Sequence, residues 1–194
     1  MNTYAIIDFE TTGLSPSNGD CPTEIAIVLV QNGQITDRYQ SLMNGGVRLS
    51  SFIEGYTGIT NAMVRKAPPL KQVMAEACEF ASDYPLVAHN ASFDRKFWDD
   101  ALAKIGKRRR QEFLCSLLLA RRVYPQAANH KLETLARLLK LPVTGNFHRA
   151  LADAEVTAHL FMRMQKAVKD KLRIAEVTCG HLKILEKQKI GLLF

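Results

Sequence analysis

None of the four cysteines, Cys21, Cys78, Cys115 and Cys179, falls in a C-x-x-C spacing. That absence argues against a zinc site and a disulfide framework and points to a reducing, intracellular setting. Long apolar runs are also missing. The longest strongly apolar stretch, Ile25 to Val30, is far too short to span a bilayer. The N-terminus lacks the basic start and apolar run of a signal peptide, so a cytoplasmic protein with no membrane partner is expected. With 47% hydrophobic and 23% charged residues, no fibrous, repeat or disordered class is indicated. Acidic residues are in deficit, 19 against 26 Lys and Arg, which leaves a formal charge of +7. A polyanionic partner is favoured, nucleic acid first, because each cation placed on a phosphate releases condensed counterions. The densest basic cluster is Lys104, Lys107, Arg108, Arg109 and Arg110, followed by Arg121 and Arg122. Such a run is more often a solvated loop than a binding patch.

At 194 residues the chain fits one domain with a short extension. An apolar strand, Tyr4 to Glu10, is followed by a loop from Thr11 to Asp20 rich in Thr, Gly, Ser and Pro. Two β-rich runs, Thr23 to Val30 and Ile35 to Met43, flank Asn32-Gly33, which fits a type I′ hairpin turn and predicts an antiparallel meander. Asn44 to Thr60 reads as irregular. Leu70, Val73, Met74, Ala77, Phe80 and Ala81 give Pro69 to Asp83 a helical period. A buried strand, Leu86 to Ala88, precedes a helix through about Ala103 with Ser92 as its N-cap. Glu112 to Cys115 reads as a last strand, followed by helices near Ser116 to Val123, Lys131 to Lys140 and Arg149 to Lys169, and a final helix within Lys171 to Phe194. Alternating helices and strands predict parallel pairing in the second half.

Asp8 and Glu10 end the first strand two residues apart, so they share a face with Tyr4 and Ile6, while Ala5, Ile7 and Phe9 face the other way. Two like charges roughly 7 Å apart repel by about 2 kcal/mol at an effective dielectric near 20. A divalent cation between them relieves that repulsion; the alternative is that one acid caps the turn into Gly13 and the other is solvated. On a helical wheel Asp153 lies about 60° from the apolar direction set by Ala150, at the edge of the buried stripe, whereas Glu155 points to solvent. His148 converges with Asp153 only if it sits at or before the helix start. Asp94 falls in the first turn of the helix that follows the fourth strand, at a carboxyl strand end where sites of α/β proteins form.

Three segments, Asp8-Phe9-Glu10-Thr11-Thr12-Gly13-Leu14, His89-Asn90-Ala91-Ser92-Phe93-Asp94 and His148-Arg149-Ala150-Leu151-Ala152-Asp153, resemble in order and spacing the DEDDh 3′-to-5′ exonucleases, and in particular the epsilon-type proofreading exonucleases of DNA polymerase III. Thr57-Gly58-Ile59-Thr60 resembles an intervening loop in which some members carry histidine at the position of Thr57. The histidine five residues before Asp153 marks the histidine branch of the family.

The resemblance implies an α/β, ribonuclease H-like fold with a mixed five-stranded sheet flanked by helices. It further implies an exonuclease domain over residues 1–170 and a C-terminal helical extension over 171–194. Asp8, Glu10, Asp94 and Asp153 would hold two Mg²⁺ or Mn²⁺ ions, and His148 would take the proton from the attacking water. Thr11, Thr12 and Leu14 would grip the terminal nucleotide, with Asn90 and Phe93 lining the same cleft. The expected substrate is a nucleic acid 3′ end, single-stranded DNA first, with an RNA-trimming enzyme and a polymerase-tethered binding module as alternatives. Gln188-Lys189-Ile190-Gly191-Leu192-Leu193-Phe194 loosely resembles the peptides by which replication proteins bind the sliding clamp; the other reading is that this tail folds back on the domain.

Overall fold

The computed structural model describes residues 3–143, 145 and 147–189. Its centre is strand β1 (Thr3–Thr11), paired antiparallel with β2 (Pro22–Gln31), which pairs in turn with β3 (Gln34–Leu42). Strands β4 (Leu86–Ala88) and β5 (Phe113–Cys115) add in parallel on the other side of β1, giving the order β3-β2-β1-β4-β5. The Asn32-Gly33 turn has positive φ at both residues, 51° and 76°, as the type I′ geometry requires.

Alternation along β1 divides the interior into two cores. Tyr4 and Ile6 face helix α7 (Ala150–Leu172), whose Ala150, Ala154, Ala158, Phe161, Met164 and Val168 form the buried stripe. The Tyr4 and Phe161 rings meet edge to face at 4.9 Å. Ala5, Ile7 and Phe9 face the opposite layer, built on α3 (Leu70–Ala81) and α4 (Ser92–Lys104) and filled by Phe97 and Trp98.

Several expectations are corrected here. The segment read as irregular, Asn44 to Thr60, holds α1 (Ser51–Thr57), and α2 (Asn61–Lys66) follows it where no element was expected; the hydroxyls of Ser50 and Thr60 cap them, accepting from the N–H groups of Ile53 and Met63. Both helices are too short to display a period, and Gly55 inside α1 mimics a break. Ser92 is the first residue of α4 rather than its cap; Ala91 holds the cap position without a side-chain bond. Glu155 is 9% exposed rather than solvated, and Arg38 of β3 pairs with it. A helical wheel treats the far side of the stripe as water, whereas α7 also lies against β3 at the sheet edge.

Helices α5 (Ser116–Val123) and α6 (Leu132–Leu139) complete the α7 layer, and α8 (Cys179–Lys187) closes over β5. Leu182 and Leu185 of α8 enter the same core as Tyr4 and Phe161. Two other α8 side chains satisfy the outer edge of β5: Glu186 accepts from the Cys115 N–H, and Lys183 donates to the Phe113 carbonyl at 3.0 Å. The Gln188 carbonyl accepts from Arg122 at 3.1 Å, while residues 190–194 of the clamp-like peptide lie outside the described residues. In the basic cluster, Arg109 pairs with Asp99 and Lys104 with Asp100. Among the described residues no helix is long and apolar enough to cross a membrane.

Directly after β4, His89 bridges the first residue of α5 and the loop before α6. Its Nε2 lies 2.9 Å from the His130 carbonyl, which can only accept, so Nε2 carries the proton and Nδ1 accepts from the Ser116 hydroxyl, also at 2.9 Å. Burial pushes the imidazole pKa down to about 4. On lowering the pH the unfolded chain therefore takes up this proton first, near the ordinary value of about 6.5, and the folded chain only near 4. The stabilisation is complete above about 6.5 and is lost between there and about 4, by up to about 3 kcal/mol. Urea unfolding of the wild type and of His89→Gln, at pH 7.5 and pH 4.5, checks this: the variant should lose distinctly less stability on acidification.

Candidate active site

Parallel pairing of β1 with β4 puts their carboxyl ends at one edge of the sheet, where β1 carries Asp8 and Glu10 and the turn after β4 leads into α4 and Asp94. Asp94 is 3% exposed, and its Oδ1 accepts from the Phe9 N–H at 3.2 Å, which ties the first turn of α4 directly to β1. Asp153 sits in the first turn of α7. Its Oδ2 accepts from the His148 N–H at 3.0 Å, while Oδ1 is buried with no hydrogen-bond partner.

Glu24 on β2 brings α7 to this edge. It lies directly across from Glu10 and is 1% exposed. Its carboxylate accepts from Arg149 at 2.8 Å, from the Ala150 N–H at 3.1 Å and from Gln40 at 2.9 Å. The acid thus neutralises Arg149 and satisfies a free N–H of the first turn of α7. Sequence reasoning missed Glu24, although an acid inside a β-rich apolar run was a signal that it is paired.

Asp8, Glu10 and Asp153 each offer a carboxylate oxygen within 4.8 Å of the others. Asp94 stands outside that trio but close enough to Asp8 to raise its pKa. Burial, then the charges of Asp94, Asp153 and Glu10, hold the Asp8 carboxyl well above the usual carboxylate range. Glu10 is pushed up to about 8 by burial and by Asp153 and Glu24, Asp94 to about 7 by burial, and Asp153 to about 6 by burial opposed by the His148 N–H. All-oxygen donors, crowded like charges and an unpartnered buried Oδ1 together fit a hard divalent cation. The alternative in which one acid caps the turn into Gly13 does not hold. That role falls to Asp20, whose Oδ2 accepts from the Ser15 N–H at 3.0 Å and whose carboxylate would lie 2.4 Å from a Cβ at Gly13.

His148 stands before the start of α7, as convergence with Asp153 demands, in a left-handed conformation (φ 66°). Its ring packs on Tyr56 at 4.0 Å between centroids, Tyr56 stacks on Phe52 at 5.9 Å, and Nε2 lies 3.9 Å from Glu133. Phe52, Tyr56 and Glu133 were not singled out from the sequence; the i, i+4 aromatic pair was legible only once α1 was known to be a helix.

A cleft of about 760 Å³ joins these groups to Leu14, Asn90 and Phe93. Leu14 is 76% exposed on its rim. The hydroxyls of Thr11 and Thr12 line the loop but are already engaged, Thr11 donating to the Gly13 carbonyl at 2.6 Å and Thr12 accepting from the Cys21 N–H at 3.0 Å. Lys96 of α4 donates to the Leu14 carbonyl at 3.0 Å, so the loop is pinned on both sides.

Residues 5–161 match a family profile described as an exonuclease. The chain is 39% identical over 170 residues to a DNA polymerase III PolC-type protein of Bacillus cereus, and 36% identical over 167 residues to that of Caldanaerobacter subterraneus subsp. tengcongensis. These alignments cover 87% and 86% of this chain but span only 12% of either relative. Among solved structures, Exonuclease X in complex with 5′ overhanging duplex DNA superposes with a TM-score of 0.76 at 28% identity, over 94% of this chain and 99% of that one. The nuclease domain of 3′hExo, a DEDDh family member bound to rAMP, gives 0.72 at 20% identity, over 91% and 96%. The fold is thus the ribonuclease H-like one expected.

Two stability measurements follow from this electrostatics. In EDTA, Asp8→Asn should raise the melting temperature by about 2–4 °C, since relieving about 1 kcal/mol of repulsion has that effect in a domain of this size. Arg149→Ala should destabilise by about 3 kcal/mol, because it strips the buried Glu24 of its countercharge; an unchanged urea midpoint would refute the role given to this pair.

Proposed function

This chain belongs to the exonuclease family, and we propose that it removes nucleotides from the 3′ end of single-stranded DNA, releasing nucleoside 5′-monophosphates. The observation that carries this reading is the meeting of Asp8, Glu10 and Asp153 within 4.8 Å, beside Asp94 and His148, on the floor of an open cleft. A surface evolved only to bind phosphates gains nothing from clustered negative charge.

In this reading Asp8, Glu10, Asp94 and Asp153 hold two Mg²⁺ or Mn²⁺ ions. When bound, these would supply Lewis acidity and neutralise charge building on the phosphoryl oxygens. The chain's own groups do the rest. His148 takes the proton of the attacking water onto its imidazole, and Glu133, 3.9 Å from Nε2, stabilises the cation that forms. The Phe52–Tyr56 stack limits the swing of the His148 ring. Leu14, held by Lys96, separates the terminal base from its neighbour, while Phe93 and Asn90 line the opposite wall. Apolar contact of this kind tolerates any base.

The DNA reading is supported by the PolC-type DNA polymerases, 36–39% identical to this chain, and by Exonuclease X, 28% identical and solved in complex with DNA. The polymerase relatives also support work beside a DNA polymerase in the bacterial cytoplasm, with Gln188 to Phe194 as the candidate contact to a sliding clamp.

A 5′-labelled oligonucleotide incubated with Mg²⁺ or Mn²⁺ should shorten stepwise from its 3′ end, and deoxyribose should be preferred over ribose. Asp8→Ala, Asp153→Ala or EDTA should each reduce the rate by roughly a thousandfold or more, the loss of several kcal/mol of transition-state stabilisation. His148→Gln should cost about 10²–10⁴-fold. Full activity in EDTA, or in either aspartate variant, would sink the proposal.

A further inference from the structure

We infer that a second groove, opening off the cleft at Asn90, holds the sugar-phosphate backbone of the strand that leads into the site, and that Arg95 and Arg121 are its phosphate ligands. The inference rests on the nucleic-acid substrate proposed above.

Asn90 lines both depressions, so the groove, of about 440 Å³, adjoins the cleft at that residue. Arg95 projects from the first turns of α4 and Arg121 from the last turn of α5, one on either wall. Both are exposed, and among the described residues neither guanidinium has an ion-pair or hydrogen-bond partner. Neighbouring cations are occupied: Lys183 bonds the Phe113 carbonyl and Glu112, Arg122 bonds the carbonyls of Leu118 and Gln188, and Lys96 bonds that of Leu14. Two free guanidinium groups therefore remain beside a cleft floored by carboxylates. The acid that lines the groove, Glu186, is turned into the sheet edge by its bond to the Cys115 N–H.

The chemistry of the two depressions is complementary. The cleft carries the aromatic rings Phe52, Tyr56 and Phe93 and the acids, which suits a terminal base and a reacting phosphate. The groove has paired arginines and no exposed aromatic ring, Phe113 being 7% exposed, so it offers phosphate contacts without a stacking surface for bases. Positive charge at this place also offsets the repulsion that the carboxylate floor exerts on an approaching polyanion.

The test compares wild type with the Arg95→Ala/Arg121→Ala double variant on two substrates. One is a 12-nucleotide deoxyribo-oligonucleotide; the other is the p-nitrophenyl ester of thymidine 5′-monophosphate, which is too small to reach the groove. Binding of the oligonucleotide in EDTA is followed by fluorescence anisotropy across a salt series. The double variant should bind on the order of tenfold more weakly near 0.1 M salt. Its log–log salt slope should be shallower by about 1.4, two contacts at about 0.7 each on a single strand. KM for the oligonucleotide should rise with kcat nearly unchanged, ester hydrolysis should stay within about twofold, and Arg95→Lys/Arg121→Lys should restore most of the slope. Wild-type affinity and slope in the alanine variant would overturn the groove, as would an equal fall in ester turnover, which would place the effect at the reacting centre. If wild type cleaves neither substrate while binding still depends on the two arginines, the exonuclease reading fails and the groove stands.

Discussion

A single buried carboxylate sets the geometry on which the rest of the molecule depends. Glu24 sits on the second strand, across from Glu10, and grips the start of α7 through Arg149 and the Ala150 N–H. A helix can enter such a sheet at many heights, since apolar stripes slide past one another at modest cost. A charged, directional contact at its first residue removes that freedom. Once α7 is fixed, Asp153 falls beside Asp8 and Glu10, and the Asp153 carboxylate in turn fixes the His148 backbone. Two groups, Asp153 and His148, are thus brought to the acidic pair on β1 by one buried carboxylate.

The same region is where the fold is least comfortable. Asp8, Glu10, Asp94 and Asp153 all have raised pKa values, with burial as the leading cause, and His148 adopts a left-handed backbone. The two apolar cores on either face of β1 bear this burden. The crowding of like charges is thus confined to the candidate site, and the closely packed sheet around it bears the cost.

Much of this was legible in the amino-acid order. Period-two alternation from Tyr4 to Glu10 separates the two cores correctly, and Asn32-Gly33 marks the hairpin, because both signals are local and steric. Asp8 and Glu10 at the end of an apolar strand and Asp153 at the edge of a buried stripe stood out against their local pattern, whereas Asp94 and His148 fit theirs and were marked by the resemblance to the exonuclease family. What escaped was non-local. Glu155 looked solvated because the partner that buries it, Arg38, lies on β3. Glu24 looked like one more strand residue until Arg149 was brought against it. Helices α1 and α2 are held by caps and a small core of Leu49, Ile59 and Val64, with no long stripe to read. That Arg95 and Arg121 have no partner among the described residues is likewise a property of the fold, since sequence alone cannot say which cations are already paired.

The edge of β5 carries a different kind of consequence. An open strand edge is an invitation for another polypeptide to extend the sheet, the first step of strand swapping and fibril growth. Here the Cys115 N–H and the Phe113 carbonyl are already taken by Glu186 and Lys183. The helix bearing them thus serves as a terminator of the β-lattice, ending it with ionic side chains instead of a sixth strand, and leaves that edge of the sheet without a template for self-assembly.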